Sequence, residues 1–168
     1  LPQQVRTEVL IAAIAHGADY IDCEYDNFLK PEVRDPILKA LSEQSHTRLI
    51  LSKHNFDGPF EDLRRLYDAV VSMFPQAIPK LVYTARHVND CFAALDLLRD
   101  RDTDAIVLAM GEPGLPARVL ARKFAAFGSF AALEAGLESA PGQPDLAEMT
   151  ALYRWRKVGP GTEVYGVV

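Results

Sequence analysis

Cysteine is scarce in this chain: Cys23 and Cys91 are the only two among 168 residues, 68 positions apart. Such spacing supports neither a disulfide framework nor a clustered metal site, and it predicts a reducing, cytoplasmic setting. Long apolar runs are missing as well. Uncharged stretches such as residues 9–18, which include His16, and 124–133 fall well short of the roughly 20 apolar residues a bilayer helix requires, so a soluble chain without a membrane partner is expected. Positive charge is in deficit, with 18 Lys+Arg against 23 Asp+Glu and a net charge of −5. With no basic stripe, the chain lacks the phosphate-neutralising surface of a nucleic-acid binder. The opening Leu1-Pro2-Gln3-Gln4-Val5-Arg6 has neither an initiating Met nor the basic, apolar and small-residue order of a secretory signal.

What is present is apolar material in a regular order. The chain is 49% hydrophobic and 24% charged, enough for a buried core and against disorder. Short aliphatic runs alternate with stretches of helical period. Strands are expected at residues 18–24, 48–54, 79–84, 104–110 and 127–133. Helices are expected at 31–42, 59–73, 88–98, 116–125 and 145–154, after a helical segment at 6–15. In the 59–73 helix, Leu63, Leu66, Tyr67, Val70, Val71 and Phe74 fall on one face, between Glu61, Asp62, Arg64, Arg65 and Asp68. Leu49-Ile50-Leu51 and Ala105-Ile106-Val107-Leu108 are apolar on both faces, as strands of a helix-covered parallel sheet are.

An α/β chain of this kind is either an open doubly wound sheet or an eight-fold barrel. Five βα units at about 30 residues each fall short of the about 250 residues of a complete barrel. Three units are unaccounted for. Residues 1–157 are therefore expected to form a partial barrel, with 158–168 a linker and the first strand of a following domain.

Side chains that act on substrates gather where strands of such sheets end. Asp22 and Glu24 end the first expected strand, His54 ends the second, and Lys80 opens the third. Arg118 follows the fourth, and Ser139 with Gln143 follow the fifth. Each has an ordinary reading as a solvated surface residue. Alternation nevertheless puts Lys80, Val82 and Thr84 on one strand face and Leu81 and Tyr83 on the other. A lysine aimed into an apolar interior favours the neutral amine that forms a Schiff base. A histidine at a strand end can move protons near neutral pH, a neighbouring carboxylate can orient it, and an arginine can grip a substrate carboxylate with two parallel bonds.

Taken together, these stretches resemble the type I 3-dehydroquinate dehydratase family. Asp19-Tyr20-Ile21-Asp22-Cys23-Glu24-Tyr25 is similar to that family's fourth barrel strand, and Leu51-Ser52-Lys53-His54-Asn55-Phe56 to the strand of its catalytic histidine. Ile78-Pro79-Lys80-Leu81-Val82 resembles the segment with its Schiff-base lysine. Residues 109–118 resemble its carboxylate-binding turn, and Glu138-Ser139-Ala140-Pro141-Gly142-Gln143 its closing substrate loop. The resemblance implies a (β/α)8 TIM-barrel fold, of which strands four to eight are present. It also implies dehydration of 3-dehydroquinate to 3-dehydroshikimate in the shikimate pathway, with no metal or other cofactor. By the same resemblance Lys80 condenses with the C3 ketone, His54 moves the protons of a syn elimination, and Asp22 supports His54. Arg118, Ser139, Gln143 and Glu24 bind substrate, and Met110 and Phe130 line the pocket. A homodimer is also implied.

Departures are specific. The family's first three strands, with an acid–Arg pair on the second and an Arg and Glu on the third, have no counterpart here. Ala117 stands where a Ser usually precedes the Arg, and Phe124-Ala125-Ala126 replaces a turn that usually contains Gly. Residues 152–168 resemble the junction at which bifunctional relatives continue into shikimate dehydrogenase. A five-strand arc leaves edges unpaired, so weak or absent turnover by the isolated chain is expected. Two other readings stay open: an inactive remnant serving assembly or regulation, and another lysine Schiff-base barrel enzyme of the class I aldolase kind.

Overall fold

The structure, a computed structural model, describes residues 2–44 and 46–165. Two compact units divide it: residues 1–53 with 65–80, and residues 54–64 with 81–168. Four strands, β1 (Tyr20–Glu24), β2 (Arg48–Asn55), β3 (Ile78–Thr84) and β4 (Ile106–Met110), hydrogen-bond in the order β1-β2-β3-β4. Strand order equal to chain order, with a helix between successive strands, is the winding of a barrel arc.

The first unit opens with α1 (Gln3–Ala15), which begins after Pro2, where a missing N–H is no loss. It ends in a Schellman motif: Gly17, at φ +80, donates to Ile14 O, and Ala18 donates to Ala13 O. Two helices, α2 (Tyr25–Phe28) and α3 (Pro31–Glu43), then return the chain to β2. The β1–β2 pairing is parallel, with Ile21 level with Leu49 and Cys23 level with Leu51. Along β1, Ile21 and Cys23 are buried while Asp22 is exposed and Glu24 half-buried, so the two carboxylates share the other face. Ile14, Ile21, Phe28, Val33, Ile37, Leu49, Leu51 and Val70 form the core, with the rings of Phe28 and Phe74 6.2 Å apart. Burial among these side chains pushes the Cys23 thiol up to about 11, and the adjacent Asp22 and Glu24 charges add to the shift.

The helix expected at 59–73 begins later, as α4 (Leu63–Met73), and Leu63, Tyr67 and Val70 are buried as expected. In the second unit, α5 (Asp90–Asp100) buries Cys91, Ala94, Leu95 and Leu98 beneath β4, every residue of which is buried. Tyr83, 1% exposed, sets its ring edge against Phe60 and donates its hydroxyl to Asp90 O. A 3-10 turn (Glu112–Gly114) leads into α6 (Leu115–Leu120).

The C-terminal third departs from expectation. Residues 127–133 form no strand: Phe127 donates to Ala105 O and Ala132 to Pro144 O, and only an isolated bridge joins Ala132 to Asp145. Between these ends, Gly128 has no side chain to pack, which weakens a strand, and Ser129 donates its hydroxyl to Arg118 O. The helix expected at 116–125 is α6 plus a 3-10 turn (Ala121–Phe124), stopped by Ala125 in the left-handed region at φ +53. This is the turn where the family usually has Gly.

The helix expected at 145–154 is a single π-helical turn, Glu148–Leu152. Asp145 and Glu148 cap each other's amides at its start, Thr150 bonds back to Leu146 O, and Arg154 ends it at φ +49. The expected linker is held in place. Arg122 donates to Val158 O, and Lys123 donates to Pro160 O and Thr162 O. Of the strand expected at the C-terminus, residues 163–165 are not in a strand and 166–168 lie outside the described residues.

Candidate active site

The first unit contributes a lysine–carboxylate pair. Lys80 is the third residue of β3 and its side chain is only 14% exposed. Its Nζ donates to Asp22 Oδ2 at 2.7 Å. The carboxylate expected to support His54 is therefore bonded to Lys80. A long lysine stem reaches it because β2 alone separates β1 from β3 in the sheet. Lys53, just before His54, pairs in turn with Asp26, a contact the sequence reading missed.

In the second unit, His54 stands near the end of β2, half-buried, with its ring parallel to Phe56 at 5.8 Å and 9°. Arg118 is the fourth residue of α6 and is only 2% exposed. Its Nε has no hydrogen-bond partner among the described residues. Burial alone lowers its pKa, with no opposing carboxylate contributing. A buried guanidinium with a free donor has the chemistry to accept an anion.

Ser139 and Gln143 are brought together. Gln143 Oε1 accepts from Ser139 N at 2.8 Å and from Ser139 Oγ at 3.0 Å, which folds residues 138–143 around an open cleft of about 530 Å³. The loop is seated on the end of β4, where Gly111 donates to Pro141 O at 2.8 Å. Gly142, at φ +67, fits there because it lacks a Cβ, which would stand 2.6 Å from Glu112 N. Arg118, Met110 and Phe130 are not part of that lining. Met110 is buried in β4 and Phe130 is 40% exposed. No group of three or more metal-ligating side chains forms among the described residues, and no described helix is long and apolar enough to cross a membrane.

Comparison with known proteins speaks to the family and the fold. The family model for type I 3-dehydroquinase matches residues 2–160. A bifunctional 3-dehydroquinate dehydratase/shikimate dehydrogenase of Arabidopsis thaliana, named as chloroplastic, is 33% identical over 170 residues, covering 97% of this chain and 26% of its own. A 3-dehydroquinate dehydratase of Dehalococcoides mccartyi is 33% identical over 155 residues, covering 90% of this chain and 67% of its own. The crystal structure of a Clostridium difficile type I 3-dehydroquinate dehydratase, with covalently modified comenic acid, superposes with a TM-score of 0.75 at 21% identity. That match covers 92% of this chain and 61% of the other. The chain thus spans from about a quarter to two thirds of the length of these relatives. Motif order, parallel α/β architecture and the family match over residues 2–160 together place this chain in the type I 3-dehydroquinase family.

Proposed function

We propose that this chain carries the Schiff-base chemistry of a 3-dehydroquinate dehydratase. The observation that carries the reading is a largely buried lysine, Lys80, held 2.7 Å from one carboxylate, Asp22. The neutral Lys80 amine adds to the C3 ketone of 3-dehydroquinate; His54 takes the proton the nitrogen gives up and returns it to the carbinolamine hydroxyl, which leaves as water and gives an iminium. Asp22 positions the nitrogen and faces the iminium charge once it forms. The iminium withdraws electrons from C2, so His54 removes the C2 proton and then delivers a proton to the departing C1 hydroxyl. Hydrolysis of the imine takes up one water and frees 3-dehydroshikimate; with one water released on condensation and one on elimination, the net loss is one water. Arg118 receives the substrate carboxylate. Glu24, Ser139 and Gln143 contact its hydroxyls, with Met110 and Phe130 as apolar lining, and the loop at residues 138–143 excludes solvent.

The same reading includes a homodimer and a reducing, cytoplasmic setting. Exposed Leu133, Leu137 and Leu146 offer apolar surface for a second copy, and the Cys23 and Cys91 thiols are unpaired and buried. Sedimentation velocity checks the dimer.

Covalent capture needs only Lys80 and a ketone. Incubation with 3-dehydroquinate followed by borohydride reduction should therefore label the Lys80 peptide. The Lys80→Met variant should stay unlabelled. An unlabelled Lys80, or label on another lysine, overturns the reading.

A further inference from the structure

The loop that leaves β2 directly after His54 is fixed from two sides. Asn55 staples it internally: Nδ2 donates to Pro59 O at 3.2 Å, and Oδ1 accepts from Asp57 N at 3.1 Å. From outside, Arg86, two residues beyond β3, donates from Nε at 3.2 Å and from Nη2 at 2.7 Å to the Asp57 carbonyl. The guanidinium has room because residue 58 is glycine: a Cβ there would stand 2.7 Å from Arg86 Nη2. Arg86 is anchored in turn. Its backbone N–H and that of His87 donate to Asp90 Oδ2 at 2.7 and 3.0 Å. These amides, His87 first, hold the Asp90 carboxyl below its ordinary range. Asp90 begins α5, whose buried face is embedded in the core.

A mechanical line thus runs from α5 through Asp90, Arg86 and Asp57 to Phe56, and ends on the His54 ring. Phe56 is 72% exposed, so burial does not hold it against the imidazole. An exposed ring stack is a weak contact by itself, so a fixed backbone between the two rings helps to keep them aligned. We propose that Arg86 is a positioning residue for His54, acting through the Asp57 carbonyl and the Phe56 ring to set the plane of the imidazole. The proposal rests on the reading of His54 as the proton-transferring group.

Its test combines histidine NMR with kinetics on the whole chain, comparing wild type with Arg86→Gln, Arg86→Lys and Phe56→Leu, and using His54→Gln to assign the resonance among four histidines. The His54 ring protons should carry an upfield shift from the Phe56 face. R86Q and F56L should both lose it, and R86K, which keeps one donor, should retain part. R86Q should also lower kcat for 3-dehydroquinate roughly tenfold to a hundredfold, the range for a slightly misplaced catalytic group. Its KM should stay within about twofold, with Lys80 still trapped by borohydride. Unchanged His54 resonances in R86Q, or a loss confined to KM, overturn the proposal. Should the wild type show neither trapping nor turnover, the dehydratase reading fails, and the NMR arm still decides whether Arg86 sets the ring. Should R86Q not fold, F56L, altered at an exposed side chain, decides: an unshifted His54 resonance there overturns the stack.

Discussion

Arg118→Met separates what this residue does for stability from what it does for binding. The side chain is 2% exposed and its Nε is unpartnered. Burial is the only cause lowering its pKa, so the folded chain bears the desolvation of a charge with no counter-ion to offset it. Met fills a similar volume without the charge. Exchanges of buried ionic groups for apolar ones run from neutral to about 4 kcal/mol stabilising. A gain of about 2 kcal/mol, the middle of that range, raises Tm by roughly 4–8 °C in a chain of this size.

Carboxylate binding should move the other way. Truncating one partner of a desolvated charge pair costs about 2–5 kcal/mol, equivalent to a loss of roughly 30-fold to several thousand-fold in affinity. Scanning calorimetry with and without 3-dehydroquinate reads both quantities. Wild type at a ligand concentration of 100 Kd should gain about 2.7 kcal/mol, and R118M at that concentration should gain no more than about 0.9 kcal/mol. A variant that melts well below wild type in the absence of ligand, yet is still stabilised by the substrate, refutes the argument. That result would mean the guanidinium has structural partners that repay its burial.

Two further substitutions probe backbone positions. Gly142→Ala places a Cβ against the β4 end and takes an L side chain into the left-handed region, which alone costs about 1–2 kcal/mol. The loop should lift, and hydrogen exchange at the Gly111 amide, now bonded to Pro141 O, should accelerate. Unchanged exchange would show that the glycine is dispensable. Ala125→Gly relieves a non-glycine residue at φ +53. The left-handed penalty of about 1–2 kcal/mol exceeds glycine's extra entropy of about 0.5–1 kcal/mol, so urea melts should show a net gain of roughly 0.5–1 kcal/mol.

Much of this was legible in the residues because strands and helices here follow their own periods. The two-residue alternation of Ile21 and Cys23 against Asp22 and Glu24, and the helical face of Leu63, Tyr67 and Val70, reappear as burial. Legibility ends where tertiary hydrogen bonds override local preference. Residues 127–133 look apolar enough for a strand, yet their ladder groups are spent on Ala105 and on the returning segment at 144–146. The Asp22–Lys80 bond joins residues 58 positions apart, a pairing that sequence alone could propose only after strand order was known. The Arg86 clamp was missed for the same reason. A hint existed in Asn55-x-Asp57-Gly58-Pro59, whose order favours an Asx turn with a glycine that admits a close neighbour.

The roles proposed for Lys80 and Arg118 make opposite demands on their surroundings. A lysine that must aim one nitrogen lone pair at a carbon needs its position fixed before substrate arrives. Lys80 has a carboxylate at 2.7 Å to do so. An arginine that must bind a carboxylate needs its donors free until then, because a resident acid would have to be displaced by each incoming substrate. Arg118 has no ion-pair partner among the described residues, and its Nε is unpartnered. Burying a charged donor without a partner is costly, and a ligand carboxylate is one partner that would offset it. On the role proposed for Arg118, part of the cost of its burial is recovered when a carboxylate binds, and a stable R118M with weakened carboxylate binding is the expected result.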